Sequence, residues 1–349
     1  MRIASVASAF PGKRYAQGVI LEALKHQWGD RLDRPERLDR INRRAGVDGR
    51  HLALPIEAYG GLSGWGEANA VWVRVGEELG EAALGRALDD AGLEPEELSA
   101  LFVVSITGIA SPSLDARLMN RMGLNRNLKR LPVFGLGCVA GAAGLARAAD
   151  YVRAYTTESA ALLAVELCSL TFQRDDVSVV NQISASLFGD GAAAVVVAGA
   201  AVPGTGPRIV ATRSVFYPDT QDVMGWDISE RGFRIVLSRG VPDIVKRHLA
   251  DDVDAFLAER GLGRDDIGSW IIHPGGPRVL EAVQAALDPP DGALDPSWRC
   301  LRRVGNTSSV SVLLVLEDVM TRQQPAPGTW GLLAALGPGF CSELVLLRW

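Results

Sequence analysis

The sequence predicts an α/β protein whose sheets are covered on their faces by helices. Two observations carry this. Short apolar runs alternate along the chain with longer amphipathic stretches, the order that builds strands separated by helices. Several runs also end in glycine-rich turns that open onto small-residue helices. The 349 residues suit two domains of ordinary size. With 48% apolar and 22% charged residues, the chain can bury large cores, which excludes a largely disordered protein.

The N-terminal MRIASVASAFPGKR has a short apolar stretch that stops at Pro11 and Gly12. It reads as a first strand and turn, not a signal peptide. Asn69 to Ala91 has a helical pattern, and ALFVVS from Ala100 to Ser105 is a strand. Leu131 to Leu136 is the next strand, followed by a helix opening at Cys138. Ala160 to Glu166 and Ala192 to Ala198 are two further strands. The turn-rich AVPGTGP from Ala201 to Pro207 is the best break, dividing the chain into 1–205 and 206–349. Beyond it come a helix from Val241 to Arg260, a strand from Trp270 to His273 and a helix from Pro277 to Leu287. A helix from Ser308 to Met320 and strands Trp330 to Leu336 and Ser342 to Leu347 complete the chain. Each half holds a strand, a glycine-rich turn and a small-residue helix, so two similar halves are expected.

Lys and Arg number 36 against 41 Asp and Glu, a net charge of −5, with no basic block. Such a chain is poor material for tracking phosphate backbones, and a nucleic-acid partner is not expected. No apolar run reaches the roughly 18 residues needed to span a bilayer. The four cysteines form no CxxC pair, and no two histidines lie three or four residues apart, so zinc-ligand spacing is absent. Nor do they make a disulfide framework. A reducing, cytoplasmic compartment is the expectation.

LPVFGLGCVAGAAG, from Leu131, is the most informative segment. An apolar strand runs into Gly135 and Gly137, then Cys138, then alanines and glycines at helical spacing. A cysteine at a helix N-terminus meets unpaired N–H groups and the positive end of the macrodipole, which favour thiolate. Two other readings compete. Gly135, Gly137 and Gly141 approach a dinucleotide fingerprint, but the spacing is one residue too long and the following acid is not cleanly placed. A buried structural cysteine is the other.

Partners elsewhere decide between them. His273 lies in SWIIHPGG, where a strand delivers it to a turn before a helix. Asn306 lies in GNTSSVSVLLV, also just before a helix. Taken singly, His273 reads as a structural residue and Asn306 as a cap. Together with Cys138 they form a Cys/His/Asn set suited to thioester chemistry. The thiol carries an acyl group while the other two donate hydrogen bonds to an enolate oxygen. Papain-like hydrolases use the same trio, but are not built on this strand–helix alternation. Arg37, Arg40 and Arg44 share one helical face, which is either an ordinary solvated face or a phosphate site.

The motifs GLGCVAGAAG, VELCSLTFQRDD, SASLFGDGAAAVV, IIHPGG, GNTSS and LGPGF occur in one order along nearly the whole chain. With them the chain resembles the type III polyketide synthases, the chalcone synthase-like family of the thiolase fold. The resemblance implies layers of α-β-α-β-α and a homodimer. It implies that Cys138 attacks a starter acyl-CoA, and that His273 and Asn306 hold the malonyl carbonyl. It places Arg37, Arg40 and Arg44 on the CoA phosphates and makes Phe188 a gate between tunnel and cavity. Ile235 falls at the second gate, with Phe233 two residues earlier. Cys168, Thr171 and Ser308 match cavity-lining positions, and Gly337-Pro338-Gly339 matches a loop shaping the cyclisation pocket. Cys300 and Cys341 read as structural. The family's interface methionine position is Ser111. No bound metal or prosthetic group is implied; acyl-CoA and malonyl-CoA, or methylmalonyl-CoA, are the substrates. VELCSLTFQRDD and GLGCVAGAAG look most like the branch making alkylpyrones or alkylresorcinols from fatty acyl starters. A single-step ketoacyl synthase and an inactive thiolase-fold partner subunit are the alternatives. A basic patch for an acidic carrier protein would favour the former, and none stands out in the sequence.

Overall fold

The computed structural model describes residues 1–349. Its main sheet has nine strands: β1 (Arg2–Ala9), β2 (Ala100–Val104), β3 (Lys129–Val133), β4 (Ser159–Leu167), β5 (Asp190–Ala198), β6 (Arg208–Phe216), β7 (Ile267–Ile272), β8 (Trp330–Gly337) and β9 (Cys341–Arg348). They run in the order β7-β8-β9-β6-β1-β5-β4-β2-β3. In the first half β2 is parallel to β4, which is antiparallel to β5, which is antiparallel to β1. In the second half β7, β8, β9 and β6 repeat those relations in that order. The two sets meet through one residue pair, Arg2 with Arg208. The two similar halves are thus two copies of one strand topology.

Three hydrophobic layers explain why the strands are apolar without alternation. Phe102 and Val104 of β2 join the central core with Ile271 of β7, while Leu101 and Val103 face a second core and Trp270 and Ile272 a third. A strand buried on both faces has no polar side to show. The central layer holds the helices Ala140–Ala154 and Ser309–Asp318, sandwiched by the two halves of the main sheet. Trp65–Ala91 covers the outer face of the first half, and Val241–Ala258 with Pro277–Leu287 that of the second. This is the α-β-α-β-α arrangement. No helix is long and apolar enough to cross a membrane.

Several elements carry too weak a pattern to stand out in the sequence. They include β6, the hairpin Met224–Ser229 with Gly232–Leu237, and the helices Gln17–Trp28, Leu114–Met122, Val179–Leu187 and Asp295–Val304. Cys138 does not open the helix itself; it sits in a single 3₁₀ turn, Gly137–Val139, immediately before it.

Candidate active site

The candidate nucleophile is set by close packing. Gly137 has φ +53°, and a Cβ there would lie 2.7 Å from the Pro338 ring. Gly141, three residues past Cys138, packs its backbone against the Ser309 carbonyl, with no room for a side chain. The two central helices therefore cross at their N-termini, bringing Cys138 beside Ser308. The Cys138 thiol, 8% exposed, lies 3.7 Å from the Ser308 hydroxyl oxygen. Burial pushes this thiol up to about 11, against opposing pulls from the Ser308 and Asn306 side chains.

His273 continues β7 by donating its backbone N–H to Ala334 of β8 at 2.9 Å. Its ring is buried and both ring nitrogens lack a protein partner, while burial lowers the imidazole to about 4. Asn306 is clamped to the Phe188 segment: its N–H donates to Leu187 and its carbonyl accepts from Gly189, both at 2.9 Å. Gly305, at φ +73°, lets this close approach occur, since a Cβ would meet the Leu187 carbonyl. The Asn306 carboxamide donates to Gly275 at 3.1 Å and accepts from the Ser308 N–H at 2.8 Å. That fixes its orientation and leaves one amide proton uncommitted.

These side chains open on a cavity of about 520 Å³. Of the residues expected from the sequence, Cys138, His273, Asn306, Phe188, Cys168, Ser308, Ile235 and Pro338 line it, together with Arg37, Arg40 and Arg44. Three do not. Thr171 turns its hydroxyl back to the Cys168 carbonyl at 2.8 Å. Gly337 is spent on packing, because a Cβ would lie 2.7 Å from the Leu136 carbonyl and the Val139 side chain. Gly339, at φ +72°, faces Phe216. Of the two candidates for the second gate, Ile235 is on the wall, whereas Phe233 is buried edge-on against Trp65. Cys300 lies in the central core, and none of the four cysteines is in a disulfide.

The sequence reading missed several participants. Arg239 and Arg278 join the three expected arginines on the cavity wall, and none of the five makes an ion pair. Trp226 and the helix Val179–Leu187 supply much of the apolar wall. Arg50, buried, donates to the Phe188 carbonyl at 2.5 Å and to Gln17 at 3.2 Å, backing the Phe188–Asn306 clamp. Glu166, also buried, accepts from Ser309, Thr107 and the Ile106 N–H at 2.5, 2.9 and 3.1 Å, and burial raises it to about 7. No motif marks Arg50, and although Glu166 lies within VELCSLTFQRDD, only the fold gathers their partners. No cluster of three or more His, Cys, Asp or Glu could hold a metal ion.

A duplicated sheet topology, with a cysteine before one central helix and Asn306 and Ser308 before the other, defines a thiolase-type condensing enzyme. The sequence profile of chalcone and stilbene synthases matches its N-terminal domain to residues 66–201 and its C-terminal domain to 208–349. The chain is 55% identical to a 1,3,6,8-tetrahydroxynaphthalene synthase of Streptomyces peucetius subsp. caesius, covering 99% of this chain and 93% of that one. It is 34% identical to a putative chalcone synthase of Bacillus subtilis, over 99% and 98% of the two chains. The crystal structure of the tetrahydroxynaphthalene synthase from Streptomyces coelicolor superposes with a TM-score of 0.95 at 33% identity, over 100% and 99% of the chains. The chain belongs to the chalcone and stilbene synthase family, the type III polyketide synthases. It is an acyltransferase that works by decarboxylative Claisen condensation of acyl-CoA and malonyl-CoA. That membership separates the chain from the ketoacyl carrier-protein synthases.

Proposed function

We propose that this enzyme joins malonyl-CoA units iteratively and closes the chain to a small polyhydroxylated aromatic of the tetrahydroxynaphthalene kind. The observation that carries the reading is the 55% identity, end to end, with the Streptomyces peucetius synthase of that name. A naphthalene skeleton bearing oxygen at alternating ring positions is what two-carbon units deliver, with malonyl-CoA serving as starter and extender. Methylmalonyl-CoA would leave methyl groups on the ring. The alkylpyrone or alkylresorcinol product expected from sequence draws no support from these relatives.

His273 takes the Cys138 proton only as the sulfur attacks the starter thioester, and returns it to the leaving sulfur, so that CoA departs as the thiol. A second malonyl thioester then loses carbon dioxide. The electron pair of the broken C–C bond becomes an enolate, whose oxygen accepts hydrogen bonds from His273 and the free amide proton of Asn306. The enolate carbon attacks the Cys138 thioester, forming the new C–C bond and releasing the sulfur. The arginines of the cavity wall hold the CoA phosphates, and Phe188 and Ile235 narrow the passage for the pantetheine arm. No prosthetic group takes part in this scheme.

The enzyme works as a homodimer in the cytoplasm, where CoA thioesters are found. Edge strand β3 supports the dimer: it pairs on one side alone, and Leu131 within it and Phe134 just after it are 48% and 45% exposed.

Product masses from purified enzyme test the reading. Malonyl-CoA alone should yield the naphthalene, and acyl-CoAs of graded length should add little. An absolute requirement for a fatty acyl starter would restore the alkylpyrone reading. Products with a single added unit would overturn iterative extension.

A further inference from the structure

A second cavity, of about 260 Å³, shares no residue with the first. Five arginines line it: Arg14, Arg299, Arg302, Arg303 and Arg322. The acids on its lining are Asp48 and Asp318, so the lining carries a net +3 in a chain of net −5, and behind it Glu317, bonded to Ser8, also feels the charge of Arg303. Asp318 pairs with Arg299 at 2.6 Å and Arg322 at 3.2 Å. The other three arginines make no ion pair.

Two of those three are held by neutral partners, which fix position without cancelling charge. Arg14 donates through Nε and Nη2 to the Arg303 carbonyl, at 3.3 and 3.2 Å. The Arg303 guanidinium lies 6.0 Å from the centre of the Phe10 ring, itself stacked on His51 at 4.8 Å. Burial depresses the His51 imidazole, and the charges of Arg14 and Arg303 push it the same way. The Nε of Arg299 is buried with no partner. Basic side chains in the last turn of a helix are ordinary complements to its dipole, which accounts for Arg302 and Arg303 at the end of Asp295–Val304. It does not account for Arg14 and Arg322 converging on them from elsewhere in the chain.

We propose that this pocket is a binding site for a small oligophosphate, bare or esterified. Preorganised guanidinium groups suit phosphate oxygens. With a water taking about 30 Å³, the volume holds a di- or triphosphate but no folded acidic segment. The site abuts the Asn306 turn, because Arg303 lies three residues before Asn306. Unlike the cavity-wall arginines, it owes nothing to CoA.

Titration calorimetry with inorganic tripolyphosphate and, separately, with ADP, each with the first cavity filled by saturating CoA, tests this on the full-length protein. Saturable binding is expected, weakened at least tenfold in Arg302→Gln/Arg303→Gln and within twofold of wild type in Arg37→Gln/Arg40→Gln. Binding of one probe alone supports the pocket and tells a bare chain from an ester. Far-UV melting checks that the double variant folds; if it does not, Arg322→Gln, whose side chain is 65% exposed, takes its place with the same expected loss. No saturable binding to the wild type, unchanged affinity in the pocket variant, or loss in the Arg37/Arg40 variant instead would overturn the proposal.

Discussion

Ser308 stands between the two halves of the candidate site: its hydroxyl lies 3.7 Å from the Cys138 sulfur and its backbone N–H donates to Asn306. It does so at φ +50°, a left-handed conformation costly for a residue with a side chain. Its hydroxyl opposes the burial that raises the thiol. Ser308→Ala should therefore move the pH profile of Cys138 alkylation upward and slow labelling at pH 8. One hydrogen bond of about 0.5–1.5 kcal/mol corresponds to roughly two- to tenfold. Ser308→Gly removes the same hydroxyl while relaxing the backbone, so both variants should shift alike. Identical profiles in wild type and variants would mean that the hydroxyl does not act on the sulfur.

Asn306→Asp keeps the shape but loses the amide donor and sets a carboxylate beside the developing enolate. Malonyl-CoA decarboxylation should fall by roughly 10²–10³, as when one oxyanion donor is removed. Acylation of Cys138, followed as a mass increment on the protein, should persist. Loss of both would place Asn306 in loading rather than in decarboxylation.

Neutralising Arg37, Arg40 or Arg44 should raise KM for malonyl-CoA and leave kcat nearly unchanged, because phosphate contacts are the same in ground and transition states. A charge-assisted hydrogen bond of about 1.5–3 kcal/mol corresponds to roughly ten- to hundredfold in KM. A fall in kcat with KM unchanged would contradict this placement.

Glu166 makes stability depend on pH. Burial raises its pKa from 4.5 to about 7, so between those values the folded state binds the proton that the unfolded state has lost. Stability is then greatest below pH 4.5 and declines as pH rises to 7, by about 3 kcal/mol from this group. Asp190, raised to about 6 by burial, adds in the same direction, while His273, lowered to about 4, acts oppositely. Urea unfolding of Glu166→Gln at pH 5 and pH 8 should show a smaller decline than wild type. An equal decline would assign the dependence elsewhere.

Two glycine-to-alanine changes should have opposite signs. At Gly141 the new methyl collides with the Ser309 carbonyl, and overpacking of this kind costs about 1–3 kcal/mol. At Gly85, inside Trp65–Ala91, the nearest atom is Met122 Cε at 3.9 Å, and alanine should stabilise by about 0.5–1 kcal/mol. Thermal melts of the pair provide the check.

What could be read from the sequence follows from how local each signal is. All seven strands expected from apolar runs exist; burial on both faces wrote six of them as unbroken apolar segments, while β3 is a largely exposed edge strand. Cys138, His273 and Asn306 were legible through the turns that present them. Strand β6 was not, since several polar residues share its length with the buried Ile209 and Ala211. Trp226 and Arg239 reach the cavity from a hairpin and loop whose position is a tertiary fact. Thr171 matched by position, but its hydroxyl satisfies a carbonyl in its own turn. Glu166 lay inside a quoted motif, yet nothing nearby announced that Thr107 and Ser309 would surround it.

The backbone contact between Gly141 and Ser309 also bears on how this enzyme can change over time. The two halves meet through their central helices, with the two halves of the sheet closed over them, and this packing forms a frame around Cys138 and Asn306. Selection for a new product therefore acts on the lining and leaves the frame alone. Trp226 and Ile235 belong to a hairpin outside the duplicated strands. Substitutions there can reshape the chamber while the nucleophile and its neighbours stay where the duplication put them.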